Sequence, residues 1–404
     1  MAWLGLYGFA WNDYDTEARP AFDALVHGHV LDFLRLAPAY GGSLVERAPF
    51  ALAPHLWGGG QLAVYRMVAL PCLLAVAALG VWLCAQMRMK CPPTQPVLWR
   101  AVALGVCVAN PLTLRALEIG HPEELLGGAL CVAAVLLAAR ERPLWAGVAL
   151  GLAIANKEWA LLAAGPVLLA LPARRRLPCL ASAGAVASAV LAPLALVSSG
   201  GFVASARVAA APPAVIFQPW QAFWFLGHHG ALVHGLFGAP KPGYRTGPAW
   251  ASSVSHPLII ALGVVLTVAL WFQRRRHANA VLREQDALLA LALLLLLRCV
   301  LDSWDTSYYL LPFVFALLTW EVSGPSRHPP VLALSSTVLM WISCQWLPEH
   351  GASPDIQAAF FLAWSLPLAG ALGLWLYAPG LRSRLSRTPH ETTVSSLPRQ
   401  LRTS

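Results

Sequence analysis

Long apolar runs recur along almost the whole chain, and they limit what it can fold into. Segments 257–272, 286–301 and 356–377 are built almost entirely from Ala, Val, Leu, Ile, Phe, Gly and Trp, with few interruptions. Crossing the ~30 Å hydrocarbon core of a bilayer takes about 20 such residues in one helix. Of the 404 residues, 58% are hydrophobic and only 12% charged, and the mean hydropathy is +0.60. Soluble domains are only about half apolar. The expected fold class is therefore an all-α polytopic membrane protein. It has one integrated domain over 1–378, roughly 11–12 membrane segments, and a disordered basic tail over 379–404.

The net charge of +9 is an orientation signal rather than a mark of nucleic-acid binding. Alternating the loops between successive apolar passes gives two classes. One holds Arg140, Arg142, Arg174, Arg175, Arg176, Arg274, Arg275, Arg276 and the arginines of the tail. The other holds Arg19, Arg35, Arg47, Arg115, Arg207, Lys241 and Arg245, with most of the acids. The positive-inside rule makes the first class, tail included, cytoplasmic and the second external. The expected location is the plasma membrane, with no nucleic-acid partner.

Two segments refine this topology. The opening "MAWLGLYGFAW" has no basic leader region and no cleavage site, so it is not read as a signal peptide. At ~1.5 Å per residue it is also too short to span, so a truncated first helix is expected. The run 144–171 is long enough for one helix, yet Arg142 and Arg174–Arg176 flank it on both sides. One crossing cannot put both clusters in the cytoplasm. Two short limbs meeting at "ANKEWA" can, with the apex inside the protein or in a wet cavity. Residues 13–60 read as an external loop carrying one amphipathic helix through Phe22, Leu25, Val26, His29, Val30 and Phe33. Residues 199–256 read as a long external loop.

Ionisable groups at membrane depth are costly, and function is their default reading. Lys157 and Glu158 sit at the predicted apex. Arg298 interrupts "LALLLLLRCV". Glu118, His121, Glu123 and Glu124 follow the third span, and Asp302 and Asp305 follow Arg298. Topology sends all of these toward the external half, together with Asp13 and Asp15. Structural alternatives stand beside each. Arg298 pairs with Asp302 one turn on, Asp13, Asp15 or Glu17 caps a helix, and Lys157 and Glu158 merely occupy a turn. The loop 217–250 adds an aromatic run including Trp224, three histidines (His228, His229, His234) and the cation Arg245. Its histidine spacing matches no zinc motif. The aromatics suit either an interfacial belt or stacking on sugar rings. Nucleotide-binding and serine-hydrolase motifs are missing. The eight cysteines lie mostly in apolar runs without a C-x-x-C pair, so buried packing is expected rather than disulfides or zinc.

The blocks "NDYDTEA", "HGHVLDFLRLAPAYGGSLVERAPFAL", "GHPEELLGGAL", "GLAIANKEWALLAAGPVLLALP" and "YYLLPFVFALLTWE" resemble the actinobacterial branch of glycosyltransferase family 87. The resemblance covers about residues 11–380. It implies a GT-C-like bundle whose external loops form the active site, and an inverting transfer of mannose or a similar sugar. The implied donor is a polyprenyl-phosphate sugar; the implied acceptor is a cell-envelope glycolipid or polysaccharide. An Asp at the external end of the first membrane helix is the base in such enzymes, and Asp13 or Asp15 matches that place. The short first helix departs from the pattern.

The chemistry agrees with the residues. An acceptor hydroxyl needs one carboxylate base. The phosphate leaving group is already anionic and needs no acid, unlike the two-carboxyl arrangement of glycosidases. Preorganised cations stabilise the departing phosphate, and Lys157, Arg298, Arg115 and Arg245 are the candidates. His121, Glu123, Glu124, His228, His229 and Trp224 are candidates for holding sugar or acceptor. No obligatory metal or other cofactor is expected, with a divalent ion at the phosphate left open. The initial acid and Lys157 are expected to share one external pocket. A multi-pass transporter or flippase of a lipid-linked precursor is the competing class. The lack of repeated halves with midplane charges counts against it. A non-catalytic scaffold leaves a buried Lys157 without a purpose.

Overall fold

The computed structural model describes residues 13–38, 40–90, 97–210, 217–230, 232–234, 240–275, 281–324 and 329–378. The expected truncated first helix (1–12) and basic tail (379–404) lie outside them. Among the described residues the chain is nearly all helix, with one antiparallel ribbon pairing Val233–His234 with Pro240–Lys241. Six helices are long and apolar enough to cross a membrane: Gln61–Met87, Val97–Ile119, Ala173–Val197, Ala249–Arg275, Val331–Glu349 and Pro354–Tyr377. The chain is an all-α polytopic membrane protein.

Shorter helices fill the interior. Glu123–Ala139, Glu284–Leu301 and Leu311–Ser323 are buried along most of their length. A helix that is apolar all round can satisfy its surface only inside a protein or in lipid. These three pack on one another and so provide the frame from which the charged side chains project.

The run 144–171 does turn back. Pro143–Asn156 climbs antiparallel to Glu123–Ala139, and at its end the Asn156 side chain donates to the Glu123 carbonyl at 2.9 Å. Lys157 is extended (φ −154°, ψ 134°), which breaks the helix. A 3-10 segment, Glu158–Ala163, and a short helix, Ala164–Leu169, then return. Arg175 meets the Glu141 carboxylate at 2.8 Å, so both ends of the excursion lie at one end of the bundle. A 14-residue limb reaches only about 21 Å, short of the hydrocarbon thickness.

Other boundaries depart from the hydropathy reading. The apolar run that begins at Val97 is interrupted at Asn110, whose side chain accepts from the Leu112 N–H at 2.8 Å, and Pro111 opens a new helix to Ile119. The single amphipathic helix expected across 22–33 is two, Arg19–Val26 and Val30–Leu36, because Gly28 sits at φ +82° between them. Their apolar faces meet through Phe22 and Phe33, with ring centroids 6.1 Å apart. The expected loop 199–256 contains the helix Ser199–Ala210 and the first turns of Ala249–Arg275. Arg47, assigned from sequence to an external loop, is buried in the helix Gly41–Leu52.

Candidate active site

The segment after residue 12 is placed by a glycine. A Cβ on Gly120 would lie 2.5 Å from the Tyr14 Cβ, so only a bare backbone lets the π-helical turn Tyr14–Ala18 pack there. The same close approach brings Asp13 over the next residue, His121. Asp13 makes no side-chain cap hydrogen bond. Its Oδ2 instead lies 3.2 Å from His121 Nε2, and His121 Nδ1 lies 2.7 Å from Glu123 Oε1. Both ring nitrogens face carboxylates, so both donate and the imidazolium is favoured. Burial pulls the His121 pKa down, but the Glu123 charge and the Asp13 and Glu123 hydrogen bonds prevail and push it up to about 9.

Glu123 and Glu124 open the Glu123–Ala139 helix, where the N-terminal dipole favours anions. Glu123 meets Arg47 Nη2 and Lys157 Nζ, each at 3.3 Å. Glu124 accepts from the Trp159 indole N–H at 3.2 Å and lies 3.7 Å from Lys157 Nζ and 3.6 Å from Arg298 Nη1. Lys157 also sits 4.1 Å above the Tyr40 ring. Arg298 lies between two rings, 4.7 Å from that of Trp159 and 4.3 Å from that of Tyr309, and donates to the Tyr309 carbonyl at 3.3 Å. The result is one continuous chain of charge: Asp13, His121, Glu123, Lys157, Glu124, Arg298.

Beside it is a cavity of about 380 Å³. Its polar end carries Glu124, Lys157 and Arg298, with Tyr40 and Tyr309. Its remaining wall is largely apolar and includes Leu162, Leu191, Leu194, Phe202, Ile259 and Ile260. The His256–Asp302 pair, at 3.3 Å, lies on the same wall.

The structure places four of the sequence-derived candidates differently from the expectation. Arg298 pairs with Glu124 rather than with Asp302, which turns to His256. Arg115 is tied to Glu118 at 3.0 Å and does not line the cavity. Asp13 and Lys157 belong to one network, but Asp13 is not part of the cavity wall. Tyr40 stands between, with Lys157 over its face and the His121 ring at its edge, 5.6 Å away. Asp15 is held by Arg19 at 3.0 Å and is no part of this network.

The aromatic loop forms a different centre. Arg245 grips Asp355 through Nε and Nη2, both at 2.8 Å. The Trp224 indole donates to Asp355 at 2.8 Å, and His229 Nε2 lies 3.1 Å from it. His228 pairs with Thr246 through the backbone. None of Trp224, His228, His229 and Arg245 lines the cavity. The sequence reading missed Arg47, Tyr40 and Trp159, all of which hold the named residues in place. The only local signal was Arg47, a cation set among apolar neighbours in "VERAPFAL".

No curated protein matches the chain. The family profile described as glycosyltransferase family 87 matches residues 42–301, well over half of the sequence. That stretch carries His121, Glu123, Glu124, Lys157 and Arg298, and the polytopic helical frame around them suits transfer at a bilayer. The chain belongs to glycosyltransferase family 87.

Proposed function

We propose that this glycosyltransferase takes its sugar from a polyprenyl-phosphate donor and passes it, with inversion, to a glycolipid or polysaccharide hydroxyl outside the plasma membrane. The carrying observation is the cavity: two cations, Lys157 and Arg298, converge with Glu124 on a largely apolar pocket whose other charged lining is Arg35, Glu158 and the His256–Asp302 pair. A lipid phosphate has the same two parts. In this reading the cations hold the phosphate and the apolar wall holds the first isoprene units. The sugar, mannose or a close relative, lies across Tyr40 with its anomeric carbon toward Asp13.

Asp13 then removes the acceptor hydroxyl proton. The hydroxyl oxygen bonds to the anomeric carbon, and the bond from that carbon to the phosphate oxygen breaks with its electrons on the phosphate. Lys157 and Arg298 stabilise that growing charge. His121 holds Asp13 in place, and Glu123 holds His121. Arg140, Arg142, Arg175 and Arg274 lie at the helix ends opposite those that carry Glu123, Lys157 and Arg298, which supports an external active site and a cytoplasmic tail.

The test uses the full chain in proteoliposomes with radiolabelled polyprenyl-phosphate mannose and, separately, GDP-mannose. Label should move to a lipid-linked or glycan acceptor from the first only. Transfer from the nucleotide sugar alone would overturn the donor assignment.

A further inference from the structure

A cavity built for an anion would gain from two unopposed cations, yet this one has a carboxylate set between them. Glu124 is wholly buried, lines the cavity and faces both Lys157 and Arg298. Its contacts with them, 3.7 and 3.6 Å, are long for charge-assisted hydrogen bonds, which run about 2.7–2.9 Å. Among the described residues, Glu124 Oε2 has no hydrogen-bond partner. Its firm contact is to neutral Trp159. The cations are therefore opposed but not saturated. Glu123 does not line the cavity, and although it lies 3.3 Å from Lys157 its charge is also met by Arg47 and His121, so Glu124 is the acid that faces the ligand.

We propose that Glu124 is the residue that sets the charge of the ligand: it cancels one of the two positive charges so that the pocket matches a phosphodiester monoanion and disfavours phosphate monoesters and diphosphates. This rests on the lipid-phosphate reading above. A sugar–phosphate–polyprenol donor is a diester and carries one negative charge. The departing polyprenyl phosphate is a monoester with a second pKa of about 6, so it carries nearly two at neutral pH. Like charges held a few ångströms apart in a buried site repel strongly. Glu124 thus admits the donor, expels the spent carrier, and excludes diphosphate-linked precursors from the same membrane.

The test is binding and competition with soluble-chain probes: farnesyl phosphate, its methyl diester, and farnesyl diphosphate, on the detergent-purified full chain. Wild-type protein should bind the methyl diester more tightly than the other two. Glu124→Gln should tighten farnesyl phosphate and farnesyl diphosphate by about tenfold or more while changing the diester much less. In turnover it should lower kcat and KM together, because release of the carrier becomes limiting. Glu124→Asp keeps the charge and should retain the wild-type order. If Glu124→Gln fails to fold, the wild-type order alone decides, and equal or tighter binding of the monoester overturns the proposal. If all three bind but Glu124→Gln leaves their ratio unchanged, the charge role is wrong and the donor reading stands. If none binds, the donor reading itself is wrong.

Discussion

Arg245 and Arg298 both meet a carboxylate, and the two meetings differ in kind. Arg245 is fully engaged: two nitrogens at 2.8 Å on Asp355, a third contact to the Gly227 carbonyl at 3.0 Å, and Trp224 and His229 on the same acid. It clasps the 217–248 loop to the last long helix. Arg298 is buried deeper but held more loosely, by ring faces, one hydrogen bond to the Tyr309 carbonyl at 3.3 Å and a carboxylate 3.6 Å away. A bidentate guanidinium–carboxylate pair leaves little donor capacity over. An arginine packed between rings keeps its charge and some of its donors available. From sequence alone both were candidates for the same phosphate. The geometry separates a fastener from a group with donors to spare.

The largest effect is expected at the far end of the inner network. Asp13→Asn should lower transfer by about 10²–10⁴-fold, while Asp15→Asn, which only loosens the Arg19 pair, should change it less than about twofold; initial rates in proteoliposomes decide. Next, Lys157→Met and Arg298→Met should each cost about 10²–10³-fold in kcat. Arg245→Met should cost under about tenfold and show itself instead as faster proteolysis within 217–248. Equal kinetic losses at Arg245 and Arg298 would erase the distinction between the two centres. Arg47→Met leaves Glu123 buried without its guanidinium and should destabilise the protein by about 3–5 kcal/mol, read as a lower unfolding temperature in detergent.

The smallest effect is on pH dependence. The folded-state pKa of His121, about 9, lies above its ordinary 6.5, so its contribution to stability is complete below about 6.5 and is lost as pH rises through about 9. Wild-type protein should therefore lose thermal stability between pH 7 and pH 9.5. His121→Gln should start lower and lose less over that window. The Asp355 clasp relies on an arginine that does not titrate there and should hold throughout.

Much of the fold was legible because its causes are local. Apolar runs make helices, and Pro111, Pro143 and Pro354 open them. The flanking arginines required 144–171 to return. Gly28, whose φ of +82° ends the first helix, was not read as a breaker; the apolar spacing through Phe22 and Phe33 suggested one continuous helix. What could not be read is pairing across long sequence separations. Arg47 and Glu123 are 76 residues apart, and Arg245 and Asp355 are 110 apart. No spacing rule connects such partners. For the same reason Tyr40, an ordinary aromatic after a short helix, gave no sign that it would stand between the acid and the lysine.

The returning segment around Lys157 has a consequence for how the chain is threaded. Because it enters and leaves on one side, it contributes nothing to the parity that decides which way every later helix points. Its tip can be lengthened, shortened or exchanged without inverting the remainder of the molecule. The cation at that tip can accordingly be tuned to a new headgroup while the insertion pattern stays as it is.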